Sequence, residues 1–406
     1  MPIMRFSNLV DRVAGEGADA WDIYYKAREL ERQGKPVINL CIGDPDFNAP
    51  DVAKEAAIAA LNANDTHYPD IPGRPALRTA IAEAFQAQTG VPTTAANVIF
   101  MAGAQNALYA VCQCLFQAVD EVIVPEPAYV TYDATIQSSG ATVVKVPQPA
   151  RLSFHIDLEA LERAVTPRTR GIMFATPNNP TGAVVTLAEA EAIAALAIKH
   201  DLWVVSDEVY GALTFERPHV SIAALPGMAE RTATVSSLAK SHAMPGFRAG
   251  WAIGPEALIG HINTLSLCML YGLPGFVQEA ALAAIKHGQA DVARMKAAYK
   301  LRRDKLLDDL GRIQTLRVAK PEGGMFVLVN VEATGLSATD FGWRLLKEEG
   351  VALLPANAFG PSAKGHLRIC FGLGEVVLTE AAKRIAAFCH RLALEEAGTK
   401  PRTGLA

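Results

Sequence analysis

The sequence predicts an α/β fold: a large unit with a mostly parallel sheet flanked by helices, plus a smaller α+β unit assembled from both chain ends. Three observations predict it. The middle of the chain alternates short β-branched apolar runs with Ala-rich helical stretches, the pattern of a parallel sheet covered on both faces. The two ends read differently, as helices mixed with isolated strands. The chain has 406 residues, half of them apolar, enough for a sizeable core and for two domains at about 100–200 residues each.

The elements follow in order. Residues 13–34 read as a helix and 36–42 as an apolar strand. Apolar spacing of three to four residues marks helices at 79–87, 104–116 and 187–199. Strands are expected at 98–101, 121–124, 171–175, 202–206, 233–236 and 250–253. A sheet of this kind binds its ligand beyond the carboxyl ends of its strands, so the loops after them carry the interest. From about residue 291 a long charged helix is followed by short strands near 325–331 and 366–371 and a C-terminal helix, with a frayed tail over 400–406. The expected division is 1–48 and 296–406 for the small domain and 49–295 for the large one.

Charge and cysteine content exclude several classes. The net charge is −4 with no basic block, which argues against nucleic acid and anionic membranes as partners. The six cysteines form no CxxC pair, and a chain this long needs no disulfide staples, so a reducing compartment is expected. The N-terminus shows neither an apolar signal core nor the Arg-rich, acid-poor character of a transit peptide, and no uninterrupted apolar run is long enough to span a bilayer. A cytoplasmic protein with no metal site is expected.

Four loops carry chemistry. In SSLAKSHAMPGFRAGW (236–251) a strand runs into a loop holding Lys240. A lone lysine is usually a solvated charge, but these flanks are apolar, small and glycine-bearing. Desolvation there lowers a lysine pKa and frees the neutral amine to attack an aldehyde. Ser237 and Arg248 then suit a dianionic phosphate, one as a hydroxyl donor and the other as a planar guanidinium. In SDEVYG (206–211) Asp207 stands at a strand's carboxyl end, where a helix cap is the plain alternative to a charge facing a ring nitrogen, with Tyr210 three residues on. TPNNPTG (176–182) is either an Asn-Pro turn or a loop that presents the Asn179 amide. In MAGAQNAL (101–108) Gly103 makes a tight turn, and the backbone N–H groups of Ala104 and Gln105 open a helix that can cradle phosphate. The absence of GxGxxG and of a P-loop speaks against a nucleotide.

Taken together, the order of these motifs resembles the fold-type I, class I/II aminotransferases, which bind pyridoxal 5'-phosphate (PLP). The resemblance runs from about residue 13 to 388 and implies a seven-stranded-type sheet. It implies that Lys240 holds the cofactor as a Schiff base and acts as general base. It implies that Asp207 pairs with the pyridinium nitrogen, while Tyr210 and Asn179 face the phenolic oxygen. Gly103, Ala104, Gln105, Ser237 and Arg248 would hold the phosphate. VINLCIGDPDF (37–47) matches the family's N-terminal strand and loop, with Gly43 allowing close backbone approach to the substrate carboxylate. THYPDIPGRPALR (66–78) matches the loop that sends a tyrosine, here Tyr68, to the partner subunit's phosphate, which implies a homodimer. PEPAYVTY (125–132) carries the ring-stacking aromatic, Tyr129, with ordinary packing as the alternative for Tyr129 or Tyr132. GHLRICFG (365–372) carries Arg368, which needs an anionic partner if buried: the substrate's α-carboxylate or an internal salt bridge.

Two departures stand out: Ala239 where many members have serine, and Ala356 in LLPANAFG (353–360) where many have glycine. Cys268 in LCMLYGLP (267–274) stands where aspartate-type enzymes place a second arginine, which speaks against a dicarboxylate-specific site. AWDIYYKA, AGAQNALYAVCQCL, KSHAMPG, GGMFVLV and AFGPSAKGH resemble the bacterial arginine–pyruvate transaminases. On that resemblance Asp19 and Asp22 are candidates to pair with a guanidinium, against the plainer reading of a solvated helix face. The expected activity moves the amino group of an L-amino acid, arginine first, to a 2-oxo acid such as pyruvate. The alternatives are an aspartate, aromatic or broad-specificity aminotransferase, a β-lyase on the same fold, and a cofactor-binding sensor without turnover.

Overall fold

The structure, a computed structural model, describes residues 5–14 and 21–399, so Asp19 and the tail 400–406 lie outside the described residues. The strands in chain order are β1 (Ile38–Asn39), β2 (Val98–Ala102), β3 (Glu121–Glu126), β4 (Thr142–Pro147), β5 (Thr169–Ala175), β6 (Trp203–Asp207), β7 (Thr232–Ser237) and β8 (Ala249–Ile253). They are followed by β9 (Arg317–Val318), β10 (Phe326–Asn330), β11 (Val351–Ala352), β12 (Leu354–Pro355) and β13 (His366–Cys370).

A seven-stranded sheet has the order β2-β8-β7-β6-β5-β3-β4. Its neighbours from β4 to β7 are parallel, and β8 runs antiparallel to both β7 and β2. Alternate residues feed opposite faces, as a strand's period of two requires. In β5, Ile172 and Phe174 pack with the helix Leu187–Lys199, while Met173 and Ala175 pack toward the helix Ala104–Leu115. Because both faces are covered, these strands read as continuous apolar runs. β4 escapes the sequence reading because it is an edge strand. Only Val146 in it is buried, Lys145 faces solvent, and proline ends it.

Strands from the two chain ends meet. β1 pairs in parallel with β11, and β12-β13-β10-β9 form an antiparallel sheet in which Arg368 lies opposite Leu328 and Leu354. The helices Gln289–Gly311, Ala338–Glu349 and Glu375–Thr399 cover them, around a core that includes Leu306, Leu310, Phe341, Leu345, Ile385 and Phe388. The helix Gln289–Gly311 crosses residue 295, the expected domain boundary, without a break.

Two expectations are corrected here. In place of one helix over 13–34 there is a short helix Asn8–Val13, capped by Ser7, and a separate helix Asp22–Arg32. The second helix has Asp22 favourably in its first turn and stops at Gly34, which takes a left-handed φ of 76°. The strand expected over 36–42 shortens to Ile38–Asn39, because the Asn39 side chain accepts the Cys41 N–H (3.2 Å) and offers the backbone a turn in place of a ladder.

Candidate active site

The carboxyl ends of β2, β5, β6 and β7 share one edge of the large sheet. Because β8 runs against its neighbours, the residue that precedes it returns to the same edge. Ala249 pairs with Ala102 at the end of β2, and Gly250 pairs with Ser237 at the end of β7. Arg248 is thereby delivered beside Ser237. A cavity of about 230 Å³ opens there. Ala104, Gln105, Tyr129, Asn179, Asp207 and Tyr210 line it, together with Ser237, Lys240, Arg248, Arg368 and Gly43.

Lys240 sits in the one-turn helix Leu238–Ser241, whose N-cap is Ser237. Its Nζ donates to the Gly43 carbonyl. Burial lowers its pKa, and the nearby Cys370 and Asp44 only partly oppose that shift. The amine therefore stands closer to its neutral, nucleophilic form than a surface lysine does.

Asp207 ends β6 with its carboxyl buried, and burial pushes its pKa up to about 6. The Tyr132 hydroxyl donates to Oδ2 at 2.7 Å and the Val209 N–H donates to Oδ1 at 3.2 Å, both pulling the other way. The sequence favours Tyr129 over Tyr132 as the ring-stacking aromatic and gives no hint of a Tyr132–Asp207 contact. Both tyrosines line the cavity with rings 5.9 Å apart, but the Tyr132 hydroxyl is committed to Asp207. Tyr210 is buried edge-on to Phe326, with centroids 6.1 Å apart, and burial raises its phenol well above the usual range.

The side of the cavity that suits an anion combines a helix start with the Ser237 and Arg248 side chains. Gly103 is the N-cap of the helix Ala104–Leu115 with φ 82°, and a Cβ there would overlap the Arg248 guanidinium. The helix start thus faces Arg248, whose Nη1 donates to Pro245 O at 3.0 Å and whose Nη2 reaches Ala102 O at 3.4 Å. The Gln105 side chain is turned away, accepting from Thr131 at 2.7 Å and donating to Thr135 at 2.8 Å. That leaves its backbone as the part directed at the cradle. The Ser237 hydroxyl accepts weakly from the Ala239 N–H at 3.4 Å, and its own proton is free to serve an anion.

Arg368 is 2% exposed. Its Nη1 donates to Asn179 Oδ1 at 2.9 Å and its Nη2 to the Cys41 carbonyl, while Nε is buried without a partner. The guanidinium lies 4.2 Å from the Phe326 ring centroid and 4.8 Å from that of Phe359. Among the described residues it pairs with no carboxylate, which removes the internal salt bridge as an explanation. A Cβ on Gly43 would overlap the Phe326 ring, so glycine is required where that loop passes.

The other candidates lie elsewhere. Tyr68 is 84% exposed, packed on Tyr271 with centroids 5.1 Å apart, outside its own chain's cavity. Asp22 is exposed and does not line the cavity, although Trp21 beside it does. Cys268 is exposed. Ala239 contributes a methyl group to the cavity wall, and Ala356 is buried at the start of a one-turn helix. Asp207 is the only acidic side chain on the cavity wall among the described residues.

Known proteins resemble this chain in sequence and in overall fold. Residues 35–385 match the family described as aminotransferase class I and II. An arginine–pyruvate transaminase of Pseudomonas aeruginosa is 49% identical, over 94% of this chain and 98% of that protein. An aspartate/prephenate aminotransferase of Thermus thermophilus is 37% identical, over 90% of this chain and 94% of its own length. The solved structure of the Thermus thermophilus aspartate aminotransferase with maleate superposes with a TM-score of 0.90 at 35% identity, covering 95% of this chain and all of that one.

Proposed function

The chain belongs to the aminotransferase class I and II family and is a transaminase, and from that premise we propose that it uses PLP on Lys240 to move the amino group of arginine to a 2-oxo acid such as pyruvate. Members of this family use PLP. Its fit to this chain rests on three features: the buried amine of Lys240, the buried carboxyl of Asp207, and an anion cradle that a single Cβ at Gly103 would fill. When bound, PLP supplies an aldehyde carbon that an amine can join and a ring that takes up the electron pair left at the substrate's Cα.

The observation that carries the amino-acid reading is Arg368. A buried guanidinium with neutral acceptors, an unpartnered Nε and no carboxylate calls for an anionic ligand. Gripping the α-carboxylate there orients the substrate's Cα–H toward Lys240. Lys240 Nζ, whose pKa burial lowers, would take up the Cα proton and give it back when the amino group is transferred. Asp207 holds a proton on the ring nitrogen, and Tyr132 supports the carboxylate form that does so. Asn179 and Tyr210 serve the phenolic oxygen, Tyr129 the ring face, and Gly43 the carboxylate. Gly103, Ala104, Gln105, Ser237 and Arg248 hold the phosphate.

Arginine as donor is supported by the 49% identity with the Pseudomonas enzyme and by the exposed Cys268, which by the family resemblance stands where aspartate-type enzymes place a second arginine. The exposed Tyr68 fits a homodimer in which it serves the partner's phosphate. Among the described residues no helix is long and apolar enough to cross a membrane. The low charge and the unpaired, framework-free cysteines described above fit a cytoplasmic setting. The test is a half-reaction screen: holoenzyme is mixed with each amino acid singly, and the cofactor's absorbance and the released oxo acid are followed. Conversion by arginine, reversed by pyruvate, is expected. Conversion of aspartate or an aromatic amino acid while arginine is inert overturns the donor. Release of ammonia in place of amino transfer moves the chain to the β-lyases.

A further inference from the structure

We propose that His155, outside the cavity, is a positioning residue for Arg368, clasping together the two segments that hold that arginine. The inference rests on the reading that Arg368 takes the substrate carboxylate.

His155 bridges two buried or half-buried acids. Its Nδ1 lies 2.9 Å from Glu189 Oε2 and its Nε2 lies 3.5 Å from Glu322 Oε2. Glu189 is anchored in the large sheet's covering layer, where it closes the capping box of the helix Leu187–Lys199 with Thr186 and accepts the Ile156 N–H at 2.9 Å. Glu322 belongs to the segment leading into β10. It accepts the Val184 N–H at 3.0 Å and pairs with Arg217, the other charged group facing this cluster.

From Glu322 two short paths lead to Arg368. Along the chain, Phe326 is four residues on, and its ring underlies the guanidinium. Across the chain, the N–H groups of Glu322 and Gly323 both donate to Gly182 O at 2.9 Å. Gly182 N in turn donates to Asn178 O at 2.8 Å, and the next residue, Asn179, accepts from Arg368. The 176–182 loop and the 321–326 segment are thus joined at Gly182. His155 and its two acids hold that junction from outside.

This cluster has the electrostatics of a working ionic clasp. Hydrogen bonds that His155 donates to Glu189 and then Glu322 raise its pKa to about 9, so it is an imidazolium at neutral pH. Both acids stay below their usual range, although burial alone would raise them. Losing the imidazolium leaves two carboxylates facing one another across the loop junction, which loosens both supports of Arg368 at once.

The experiment compares wild type, His155→Gln and Arg368→Lys holoenzymes, with pyruvate as the varied substrate, from neutral pH to above 9. Pyruvate's carboxylate does not titrate in that range. The loss of a charge-assisted contact predicts a rise of about tenfold in the pyruvate KM of His155→Gln at neutral pH, with kcat within about twofold. In wild type the KM should climb as pH passes about 9 and converge on that of the variant. An unchanged KM in His155→Gln overturns the proposal, as does a KM difference that persists above that pH. If the variant does not fold, a wild-type KM flat through the same range overturns it by itself. Arg368→Lys separates the two levels. A normal KM there defeats the reading of Arg368, whereas a raised KM in Arg368→Lys alone defeats only the clasp.

Discussion

Arg303 and Arg368 are both almost completely buried, at 1% and 2% exposure, and both lie over phenylalanine rings, at 4.9 Å from Phe215 and 4.2 Å from Phe326. Their partners differ. Arg303, in the helix Gln289–Gly311, donates from Nη2 to Glu216 at 2.7 Å, from Nε to Asp304 at 2.9 Å and from Nη1 to Pro321 O at 2.8 Å. Every nitrogen is used, and the charge is answered by two carboxylates. Arg368 has an amide oxygen, a carbonyl and an unpartnered Nε. Burial of a cation therefore does not mark function by itself. The mark is a buried charge whose counterion the fold withholds, a cost that only a ligand offsets.

The largest effect comes from leaving both arginines alone. Lys240→Ala should lower turnover by about a thousandfold or more, because the amine that makes the Arg368 cavity reactive is gone. Activity near wild type, measured as oxo-acid release, would sink the central assignment. Next, Arg368→Met and Arg303→Met set the contrast directly. The first should cut kcat/KM by about a hundredfold or more while thermal stability holds or rises by about 1 kcal/mol. The second should cost about 2 kcal/mol of stability through its lost hydrogen bonds to Pro321 O, Glu216 and Asp304, with kcat/KM of the folded enzyme nearly unchanged. If the two patterns were exchanged, the comparison would fail.

A smaller effect belongs to Tyr132→Phe. Removing a donor to the ionised Asp207 should raise its pKa above the present value of about 6. The acid limb of kcat against pH should then move upward, with a loss of roughly tenfold near neutrality. An unmoved acid limb would separate Tyr132 from Asp207. The smallest effect is on stability through His155. Its folded pKa of about 9 lies above the ordinary 6.5. Its contribution is therefore complete below the lower value and fades as pH rises through the higher one. Relative to His155→Gln, wild type should lose about 1 kcal/mol across that window in paired melting curves.

The sheet was legible wherever burial on both faces imposes a continuous apolar run, as in β5 and β6. It was not legible in β4, where an edge position lets Lys145 and Pro147 interrupt the pattern. The site was legible as a series of loops because each carries a residue type that structure alone seldom demands: a lysine among small residues, an acid ending an apolar strand, an arginine inside one. What escaped were meetings between loops. Nothing in sequence places Tyr132 against Asp207 across 75 positions, or His155 between Glu189 and Glu322. Nor does apolar spacing reveal that the helix expected over 13–34 divides, since the helix Asp22–Arg32 buries only Ile23 and Ala27.

The reversed direction of β8 has a consequence for how Lys240 is held. The loop bearing Lys240 leaves β7 at Ser237 and comes home to the neighbouring strand at Ala249, with Ser237 and Gly250 paired. Both feet stand about 5 Å apart on the same sheet. The spacing of the Lys240 and Arg248 backbones is thereby set by one pair of neighbouring strands, whereas Gly43 and Arg368 come from segments nearer the chain ends. The lysine thus has two anchors of different origin: its backbone stands on the large sheet, and its amine donates to Gly43 in the N-terminal segment.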